Sequence, residues 1–412
     1  MRIVFFNPIG EIGGAERVLL LLLAELGKTE PSIERGLILG GDGPLRTEAE
    51  RLGVPTEVVA MPTSLAAFGD SDISGGRSGV MRVFRLLLRA MIALPATIMY
   101  LARLRRQIRL LNPDILHSNG IKSHLTAALV RPHRTQLVWH IHDFLGDRAL
   151  VRRLMRRLAG RVSLAVANSD AVRVDAAEIL APLEVRTIHN GIDVERFSPG
   201  PAEPELLDRF AGFKLPARGP IRVGLVATYA RWKGHESFLA AAAEAVHRAP
   251  ELPLYFYLVG GPIYQTVGSQ YSIAELRALV DRLGLSERVG FVPFQADTVA
   301  VYRALDIVVH ASTRREPFGL TIVEAMACGR AVIAAAAGGA AEIADPGINA
   351  LTFSPGNVSE LATAISVLAD NRKERERLGQ GGRKTSVEHF AVAKFTARFA
   401  DIYAELVRKG SS

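Results

Sequence analysis

The sequence predicts an α/β protein with two doubly wound domains, each built on a parallel β-sheet. Three observations support this prediction. Short apolar runs alternate with longer stretches rich in Ala, Leu and Arg, and the pattern occurs twice along the chain. A Pro-rich polar stretch at 197–205 separates the two series. The length of 412 residues also fits two domains, since a domain takes about 150 residues.

The apolar runs are the predicted strands. In the first half they are Ile3–Phe6, Leu37–Leu39, Ile115–His117, Leu137–Ile141 and Leu164–Ala167. In the second half they are Ile221–Ala227, Leu254–Val259, Val289–Val292, Ile307–His310 and Ala331–Ala334. Because these runs are continuously apolar rather than alternating, we expect helices to cover both faces of each sheet.

The linker divides the chain into an expected N-terminal domain at 1–200 and a C-terminal domain at 215–390. Residues 391–412 form one more predicted helix. Its apolar residues recur at helical spacing: Phe395, Phe399, Ile402 and Leu406. Such a stripe must pack on another element, and we expect the helix to pack back on the N-terminal domain.

Composition excludes several protein classes. At 49% hydrophobic and 22% charged residues, the chain is neither disordered nor fibrous. The one cysteine, Cys328, excludes a disulfide framework and a Cys-based zinc site, and we expect it to pack in the core. The N-terminal apolar run of about five residues is too short for a signal peptide, so we expect a cytoplasmic protein.

The net charge of +8 is concentrated in the first half of the chain. Residues Arg77–Arg109 include eight arginines and no acidic residue. The apolar stretch inside this segment, 90–102, is 13 residues long, short of the ~20 that span a bilayer. We expect an amphipathic surface that meets an anionic membrane at the inner face, and a solvated Arg-rich surface is the alternative. Nucleic acid is not expected, because no stacking aromatics interleave the arginines.

A candidate binding loop follows the predicted strand at 307–310. The chain passes from Glu316 into a helix that begins near Gly319. The free N–H groups of a helix N-terminus favour an anion, and a glycine lets a ligand approach the backbone. Carboxylates accept hydrogen bonds from hydroxyls, so Glu316 and Glu324 would suit a polyhydroxylated ligand. On these two residues alone, a solvated loop acid and an ordinary helix residue remain open.

The whole segment resembles the E-x7-E signature of the retaining glycosyltransferases of family 4. These enzymes have the GT-B fold, with two facing Rossmann-like domains and a deep interdomain cleft. The resemblance extends over nearly the whole chain, with further motifs in the expected order. They are Gly10-x-x-Gly13-Gly14-Ala15-Glu16-Arg17, Gly43-Pro44-Leu45, Gly53-Val54-Pro55, Trp139-His140-Ile141-His142-Asp143, Asn168-Ser169, Asn190-Gly191-Ile192-Asp193, Lys233-Gly234-His235, Gly260-Gly261-Pro262 and Gly338-Gly339 with Glu342.

The resemblance implies roles for the matching residues. Glu316 would contact hydroxyls of the donor sugar, and Glu324 the ribose hydroxyls of the nucleotide. Lys233 would hold the diphosphate, and His142 would lie near the transferred sugar. We therefore predict His142, Lys233 and Glu316 as catalytic residues.

Further donor-binding residues are implied by the same motifs. Backbone N–H groups would help to hold the diphosphate, at Gly13, Gly14, Gly319 and Leu320. The loop around Phe318 would help to select the donor sugar. Family members commonly carry Gly-Arg where this chain has Ala227-Thr228, so the usual phosphate arginine is absent from its place. Arg231 is the nearby candidate to replace it.

No metal is expected at the site. Asp70-Ser71-Asp72 matches the D-x-D metal–nucleotide motif of another glycosyltransferase fold, but no apolar strand leads into it. We interpret this match as fortuitous, and predict metal-independent transfer because no other cluster has metal-ligand spacing.

The predicted function is retaining transfer of a sugar from a nucleotide diphosphate sugar, with UDP the expected carrier. The acceptor would be a saccharide or a lipid-linked molecule in cell-surface glycan synthesis, and no separate cofactor is expected. A nucleotide-sugar epimerase and a non-catalytic sugar-binding module remain alternatives. A nicotinamide dehydrogenase is disfavoured, since Gly10-x-x-Gly13-Gly14 does not match G-x-G-x-x-G.

Overall fold

The computed structural model describes residues 1–66, 79–216, 219–262 and 268–411. Its contacts divide the chain into two compact units. Unit 1 consists of Met1–Gly191 and Val392–Ser412, and unit 2 of Ile192–Ala391. The D-x-D string at 70–72 and Arg77 lie outside the described residues, so their predicted roles are not addressed by the structure.

Unit 1 is built on a parallel sheet of seven strands among its described residues, in the order β3-β2-β1-β4-β5-β6-β7. The strands are β1 (Arg2–Asn7), β2 (Glu34–Leu39), β3 (Thr56–Val58), β4 (Ile115–Asn119), β5 (Gln136–Ile141), β6 (Leu164–Ala167) and β7 (Val185–Thr187). Its helices are α1 (Gly14–Thr29), α2 (Pro44–Arg51), α3 (Thr63–Ala66), α4 (Gly79–Leu111), α5 (Ile121–Val130), α6 (Ala149–Leu158), α7 (Asp170–Leu180) and the C-terminal helix α16 (Val392–Ser411).

Unit 2 repeats this architecture with six described strands, in the order β10-β9-β8-β11-β12-β13. The strands are β8 (Ile221–Val226), β9 (Leu254–Val259), β10 (Val289–Val292), β11 (Ile307–His310), β12 (Ala331–Ala335) and β13 (Leu351–Phe353). The helices are α8 (Pro204–Ala211), α9 (His235–Arg248), α10 (Ile273–Arg282), α11 (Val299–Ala304), α12 (Leu320–Ala327), α13 (Ala340–Ile343), α14 (Val358–Asp370) and α15 (Arg372–His389). A 3-10 turn, Arg231–Lys233, precedes α9.

All ten predicted strands are confirmed, with bounds that differ by up to three residues. Their continuous apolar character has the expected cause: every residue of β4, β6, β8, β11 and β12 is buried. Three strands were missed, β3, β7 and β13. Each has three residues and lies at an edge of its sheet, so no long apolar run marks it.

The division between the units falls at Gly191 rather than near residue 200. The Pro-rich stretch belongs to unit 2 because Arg303 donates hydrogen bonds to both the carbonyl and the hydroxyl of Ser198, at 2.9 and 3.3 Å. Composition marks an irregular segment, and only packing shows to which side such a segment belongs.

The last helix, α16, packs within unit 1. Phe395 and Phe399 stack near His140, with ring centroids 6.3 and 4.9 Å away. The Tyr403 hydroxyl lies 2.8 Å from Nδ1 of His117. The apolar stripe of α16 therefore covers the buried strands β4 and β5.

None of the described helices is both long enough and apolar enough to cross a membrane.

The core of unit 2 includes Cys328, which is fully buried as expected. Burial raises the pKa of its thiol to about 11, so this cysteine is an unreactive core residue.

Candidate functional site

The candidate site of unit 2 lies at the carboxyl ends of β8 and β11. These two strands are neighbours, and the strand order runs from β8 to β9 on one side and from β11 to β12 on the other. Where strand order reverses in this way, a parallel sheet opens a crevice in which ligands bind. The loop after β8 carries Lys233 and the loop after β11 carries Glu316.

Lys233 and Glu316 form an ion pair in this crevice. The ammonium of Lys233 donates to both carboxylate oxygens of Glu316, at 2.8 and 3.0 Å. The two side chains are 19% and 11% exposed, so water screens the pair only weakly. The ammonium also lies 4.0 Å from the ring centroid of Trp232. The structure thus brings two of the three predicted catalytic residues together.

Glu316 has two further partners on its own strand–loop connection. The Ser312 hydroxyl donates to Oε2 at 2.8 Å, and Nε2 of His310 lies 3.3 Å from the same oxygen. Burial alone would raise the pKa of Glu316, but the Lys233 ammonium and the His310 ring hold it well below its usual range. Glu316 is therefore an ionised, oriented hydrogen-bond acceptor at neutral pH.

Gly234 explains how Lys233 reaches Glu316. Its φ is +78°, and a Cβ there would lie only 1.8 Å from the carbonyl oxygen of Ala311. Glycine alone allows the loop after β8 to touch the loop after β11 so closely. The Thr313 N–H then donates to the Trp232 carbonyl at 2.8 Å, which fastens the two loops together.

The turn that follows β12 supports Glu316 from the other side. The Gly339 N–H donates to the Glu316 carbonyl at 2.8 Å. Gly338 has a φ of +65°, and a Cβ there would lie 2.4 Å from that carbonyl oxygen. The Gly338-Gly339 pair of the sequence motif is thus a backbone support for the Glu316 loop.

The remaining residues of the E-x7-E segment occupy distinct environments. Gly319 caps the N-terminus of α12 and half-buried Leu320 is its first residue, so their N–H groups lie at the helix start. Glu324 accepts a hydrogen bond from the hydroxyl of buried Tyr302 at 2.7 Å. Phe318 is 3% exposed and packs edge-on against Phe390, 5.7 Å between centroids, so its side chain is part of the core.

Arg231 binds partners other than Lys233 and Glu316. Its guanidinium donates to the carboxylate of Glu275 at 2.6 Å and to the Gly268 carbonyl at 3.0 Å. It also lies 4.3 Å from the ring centroid of Tyr271. In this geometry Glu275 is the anion that Arg231 binds, and a phosphate would have to displace it.

His142 belongs to a separate polar cluster, at the carboxyl edge of the unit 1 sheet. Its Nε2 lies 2.6 Å from Oδ1 of Asn119, at the end of β4. The Asn119 amide donates in turn to Oδ1 of Asn7, at the end of β1, at 2.8 Å. Burial lowers the pKa of His142 to about 4, so the imidazole is neutral at pH 7.

The first glycine loop adjoins this cluster. The exposed residues Gly13 and Gly14 begin α1, and the Gly13 N–H donates to the Glu16 carboxylate at 3.0 Å. Burial raises the pKa of Glu16, while hydrogen bonds from Gly13 and Asn7 partly offset that rise. The Gly13 N–H is therefore already used within the loop.

Sequence reasoning missed several polar residues of these clusters: Asn7, Asn119, His310, Ser312 and Tyr302. All but Tyr302 share one signal that the sequence did contain. A polar residue at the carboxyl end of a buried parallel strand, or just beyond it, lies at the edge where such sheets bind ligands. Tyr302 carried no such signal, because it lies inside a short helix.

Comparison with solved structures establishes the fold class. The chain resembles Alr3699/HepE of Anabaena, solved in complex with UDP, at 26% identity and a TM-score of 0.79, covering 98% of this chain and 100% of that one. The same protein solved with UDP-glucose gives 25% identity and a TM-score of 0.77, over 98% of this chain and 100% of that one. Together with the two parallel-sheet units, this similarity confirms the predicted GT-B fold class.

Sequence comparison points to the same group. Residues 12–196 match the description Glycosyltransferase Family 4, and residues 212–385 match Glycosyl transferases group 1. The D-inositol 3-phosphate glycosyltransferase of Saccharomonospora viridis is 32% identical over 55% of this chain and 51% of its own length. A second such protein, from Catenulispora acidiphila, is 33% identical over 58% and 54%. The chain thus spans about half the length of the curated relatives it matches.

The two matched segments together cover nearly the whole chain. The chain therefore belongs to the group 1 glycosyltransferases of family 4.

Proposed function

We propose that the protein is a retaining glycosyltransferase that moves a sugar from UDP-sugar to an acceptor hydroxyl. The observation that carries the proposal is the partly buried Lys233–Glu316 pair at the strand-order switch of unit 2. It combines a cation for a diphosphate with an oriented carboxylate for sugar hydroxyls. The similarity to Alr3699/HepE, which was solved with UDP-glucose, supports UDP as the carrier.

The proposed reaction breaks the bond between the anomeric carbon and the diphosphate oxygen. The bonding electron pair leaves with the diphosphate, and the acceptor hydroxyl forms the new bond to the anomeric carbon while its proton passes to the departing diphosphate oxygen. Lys233 and the N–H groups at the start of α12 stabilise the charge that develops on the leaving group. We propose that attack occurs on the face from which the diphosphate departs, as the family resemblance implies, so that configuration is retained.

We test the carboxylate with Glu316→Gln, which keeps the size of the side chain but removes its charge. We expect kcat to fall by about 10²-fold or more, since a preorganised charged contact is lost. The matched control is Glu376→Gln on α15, where an exposed glutamate pairs with Arg372. Full activity of a folded Glu316→Gln variant would contradict the assignment.

Two assays separate the alternative functions. An epimerase would convert the UDP-sugar without any acceptor, whereas the proposed enzyme requires one for transfer. A non-catalytic module would show a thermal shift with a nucleotide sugar, because ligand binding stabilises the fold, yet would never consume it. A panel of nucleoside diphosphates and their sugars in the same thermal-shift format identifies the base.

We also propose that transfer needs no metal ion, because Lys233 and the α12 N-terminus supply the positive charge that the diphosphate requires. Activity should survive prolonged EDTA treatment. Loss of activity with EDTA, restored by Mn²⁺ or Mg²⁺, would contradict this part of the proposal.

For the acceptor, we propose a lipid-linked molecule reached at an anionic membrane surface. Helices α4 and α6 both pack against α5 and expose arginines: Arg103, Arg105, Arg106, Arg109, Arg152, Arg153, Arg156 and Arg157. Within the described part of the chain, no carboxylate pairs with any of them. Exposed apolar side chains accompany them, with Leu94, Ile98 and Met99 each more than half exposed. This combination of unpaired cations and apolar groups suits anionic lipid.

The membrane proposal is tested by co-sedimentation with vesicles. Arg105, Arg106 and Arg109 line a surface groove of about 380 Å³, and we change all three to serine. At ~1 kcal/mol per basic residue, binding to phosphatidylglycerol vesicles should fall by about 100-fold. The control removes the same charge elsewhere, from Arg372, Lys373 and Arg377. Equal binding to neutral and anionic vesicles would favour the solvated-surface alternative.

The names of the curated relatives suggest a different acceptor, D-inositol 3-phosphate. The acceptor assay therefore compares this compound with a membrane lipid extract, and mass spectrometry identifies the product. Glycosylated inositol phosphate would overturn the lipid-linked acceptor but leave the transferase proposal intact.

A further inference from the structure

We propose that Asn119 and Asn7 are positioning residues that fix His142 as the Nε2–H tautomer, with Nδ1 as a hydrogen-bond acceptor. The inference rests on the proposed function for its catalytic meaning, but not for its geometry. It follows from the directions of three hydrogen bonds at the carboxyl edge of the unit 1 sheet.

The chain of hydrogen bonds begins at a backbone carbonyl, which can only accept. The Ile9 carbonyl lies 2.8 Å from Nδ2 of Asn7. Were the Asn7 amide flipped, two oxygens would face each other at that distance. The amide orientation of Asn7 is therefore fixed, and its Oδ1 points elsewhere as an acceptor.

The orientation of Asn7 fixes that of the Asn119 amide. Oδ1 of Asn7 lies 2.8 Å from Asn119, which must present its Nδ2 as the donor. Asn119 then turns its own Oδ1 towards His142, 2.6 Å from Nε2. An amide oxygen accepts only, so Nε2 of His142 must carry the proton.

The second ring nitrogen of His142 is then an acceptor. Since the ring is neutral, one nitrogen bears the proton and the other a lone pair. Nδ1 has no hydrogen-bond partner among the residues that the structure describes. It is the atom left to accept a hydrogen bond from a hydroxyl of the transferred sugar or the acceptor. The opposite tautomer would present an N–H there instead.

The surroundings of His142 keep it in the neutral form. The ring of His140 lies 4.0 Å away between centroids, and buried His117 lies behind it, 5.3 Å from the His140 ring. Beyond Asn7 lies Glu16, which is close enough to Asp143 for the two carboxylates to interact. Because Asn119 carries a neutral amide rather than a carboxylate, it offers an acceptor to Nε2–H without stabilising an imidazolium.

The direct test is ¹⁵N NMR of the 412-residue chain labelled at its 10 histidines, with His142 assigned by the signals lost in His142→Gln. We expect the two ring nitrogens of His142 to report the neutral Nε2–H tautomer from pH 5 to 8. A neutral Nδ1–H tautomer would overturn the proposal, whatever the activity of the enzyme.

The role of Asn119 is tested with Asn119→Asp, which keeps the size and the acceptor for Nε2, adds a negative charge and removes the donor to Asn7. We expect the pKa of His142 to rise and the acidic limb of the kcat–pH profile to shift to higher pH, because a protonated ring cannot accept a hydrogen bond. Asn7→Asp, one link further away, serves if the first variant fails to fold. An unchanged pKa of His142 in a folded variant would overturn the role of Asn119.

Ser118→Ala is the matched control. It lies on the same buried strand and removes the hydrogen bond to His124, at 2.7 Å, without touching His142. The control should leave the His142 signals and the pH profile in place. The NMR measurements need no substrate, so a protein with the expected tautomer but no transfer would contradict the proposed function alone.

Discussion

Lys233 and Glu316 are 83 residues apart in sequence and form the central contact of the candidate site. Each alone is an ordinary charged residue. What distinguishes them is that they pair with each other where both side chains are largely shielded from water. A buried ion pair is costly to break on one side only, since the remaining charge is left unpaired. Because of this asymmetry, the coupling free energy of the pair can be measured from protein stability, without any substrate.

We predict that Lys233→Ala lowers the free energy of unfolding by up to about 3 kcal/mol. The double variant Lys233→Ala/Glu316→Ala should be less destabilised than this single variant, because no charge remains buried without a partner. Chemical denaturation of the four proteins in the cycle measures the coupling. The exposed pair Arg372–Glu376 should show a coupling below about 0.5 kcal/mol, and simple additivity at Lys233–Glu316 would contradict the prediction.

Gly234 is the second residue on which the site depends. Gly234→Ala meets both a positive φ and the Ala311 carbonyl, so we predict a loss of more than about 2 kcal/mol in thermal or chemical unfolding. Gly284→Ala is the control, because φ is +68° but no atom lies within 4 Å of the added Cβ. That variant should lose only about 1 kcal/mol. Equal losses would show that the close approach of the two loops does not matter.

At the level of elements, a buried polar contact joins α16 to the sheet of unit 1. Tyr403 lies against Nδ1 of His117, whose Nε2 is buried without a partner among the described residues. Removal of the hydroxyl leaves that imidazole with no hydrogen bond at all. The contact therefore matters more to stability than a surface hydrogen bond would.

We predict that Tyr403→Phe lowers the free energy of unfolding by about 1–3 kcal/mol. Hydrogen exchange should show faster opening of α16 in the full chain. Tyr255→Phe on β9 removes a half-buried hydroxyl that makes no hydrogen bond within the described residues, and should change stability by less than about 0.5 kcal/mol. A protection pattern in α16 identical to that of the parent would count against the prediction.

At the level of the whole molecule, buried histidines make stability depend on pH. Burial lowers the pKa of His117 to about 3 and that of His142 to about 4. The pKa values of His124 and His140 are also lowered, first by burial and then by the neighbouring histidines. In unit 2, burial and the charge of Lys233 lower the pKa of His235 to about 4.

The sign of the effect follows from these directions. Below pH 6.5 the unfolded chain binds protons that the folded chain rejects, so stability falls as pH drops from about 6.5 towards 4. Each such histidine contributes a slope of up to about 1.4 kcal/mol per pH unit. Glu16, with its raised pKa, opposes this trend at the lower end of that range.

We predict that the melting temperature falls steadily between pH 6.5 and 5, before most carboxylates titrate. His140→Phe should flatten this dependence, whereas His247→Gln at the exposed end of α9 should leave it unchanged. Hydrogen exchange should show greater loss of protection in unit 1, which holds four of these buried histidines. A melting temperature independent of pH in this window would contradict the prediction.

Much of the candidate site was predictable because its motifs lie in single segments. The E-x7-E helix, the Lys233-Gly234 turn and the Gly338-Gly339 turn are each contiguous, and the strands that lead to them are strongly apolar. Asn7 and Asn119 were not predictable as partners, since their contact links strands 112 residues apart. Arg231 was not predictable for the opposite reason. It is only two residues from Lys233 in sequence, yet its side chain binds Glu275 whereas Lys233 binds Glu316.

The two parallel-sheet units and the family follow from the sequence, because continuous apolar strands and ordered glycine motifs are local features. Which polar groups meet follows from the three-dimensional fold. The strand-order switch brought Lys233 to Glu316, and the strand order β1-β4-β5 brought Asn7, Asn119 and His142 together. Hydrogen-bond direction depends on such long-range neighbours, so the tautomer of a histidine cannot be read from its motif.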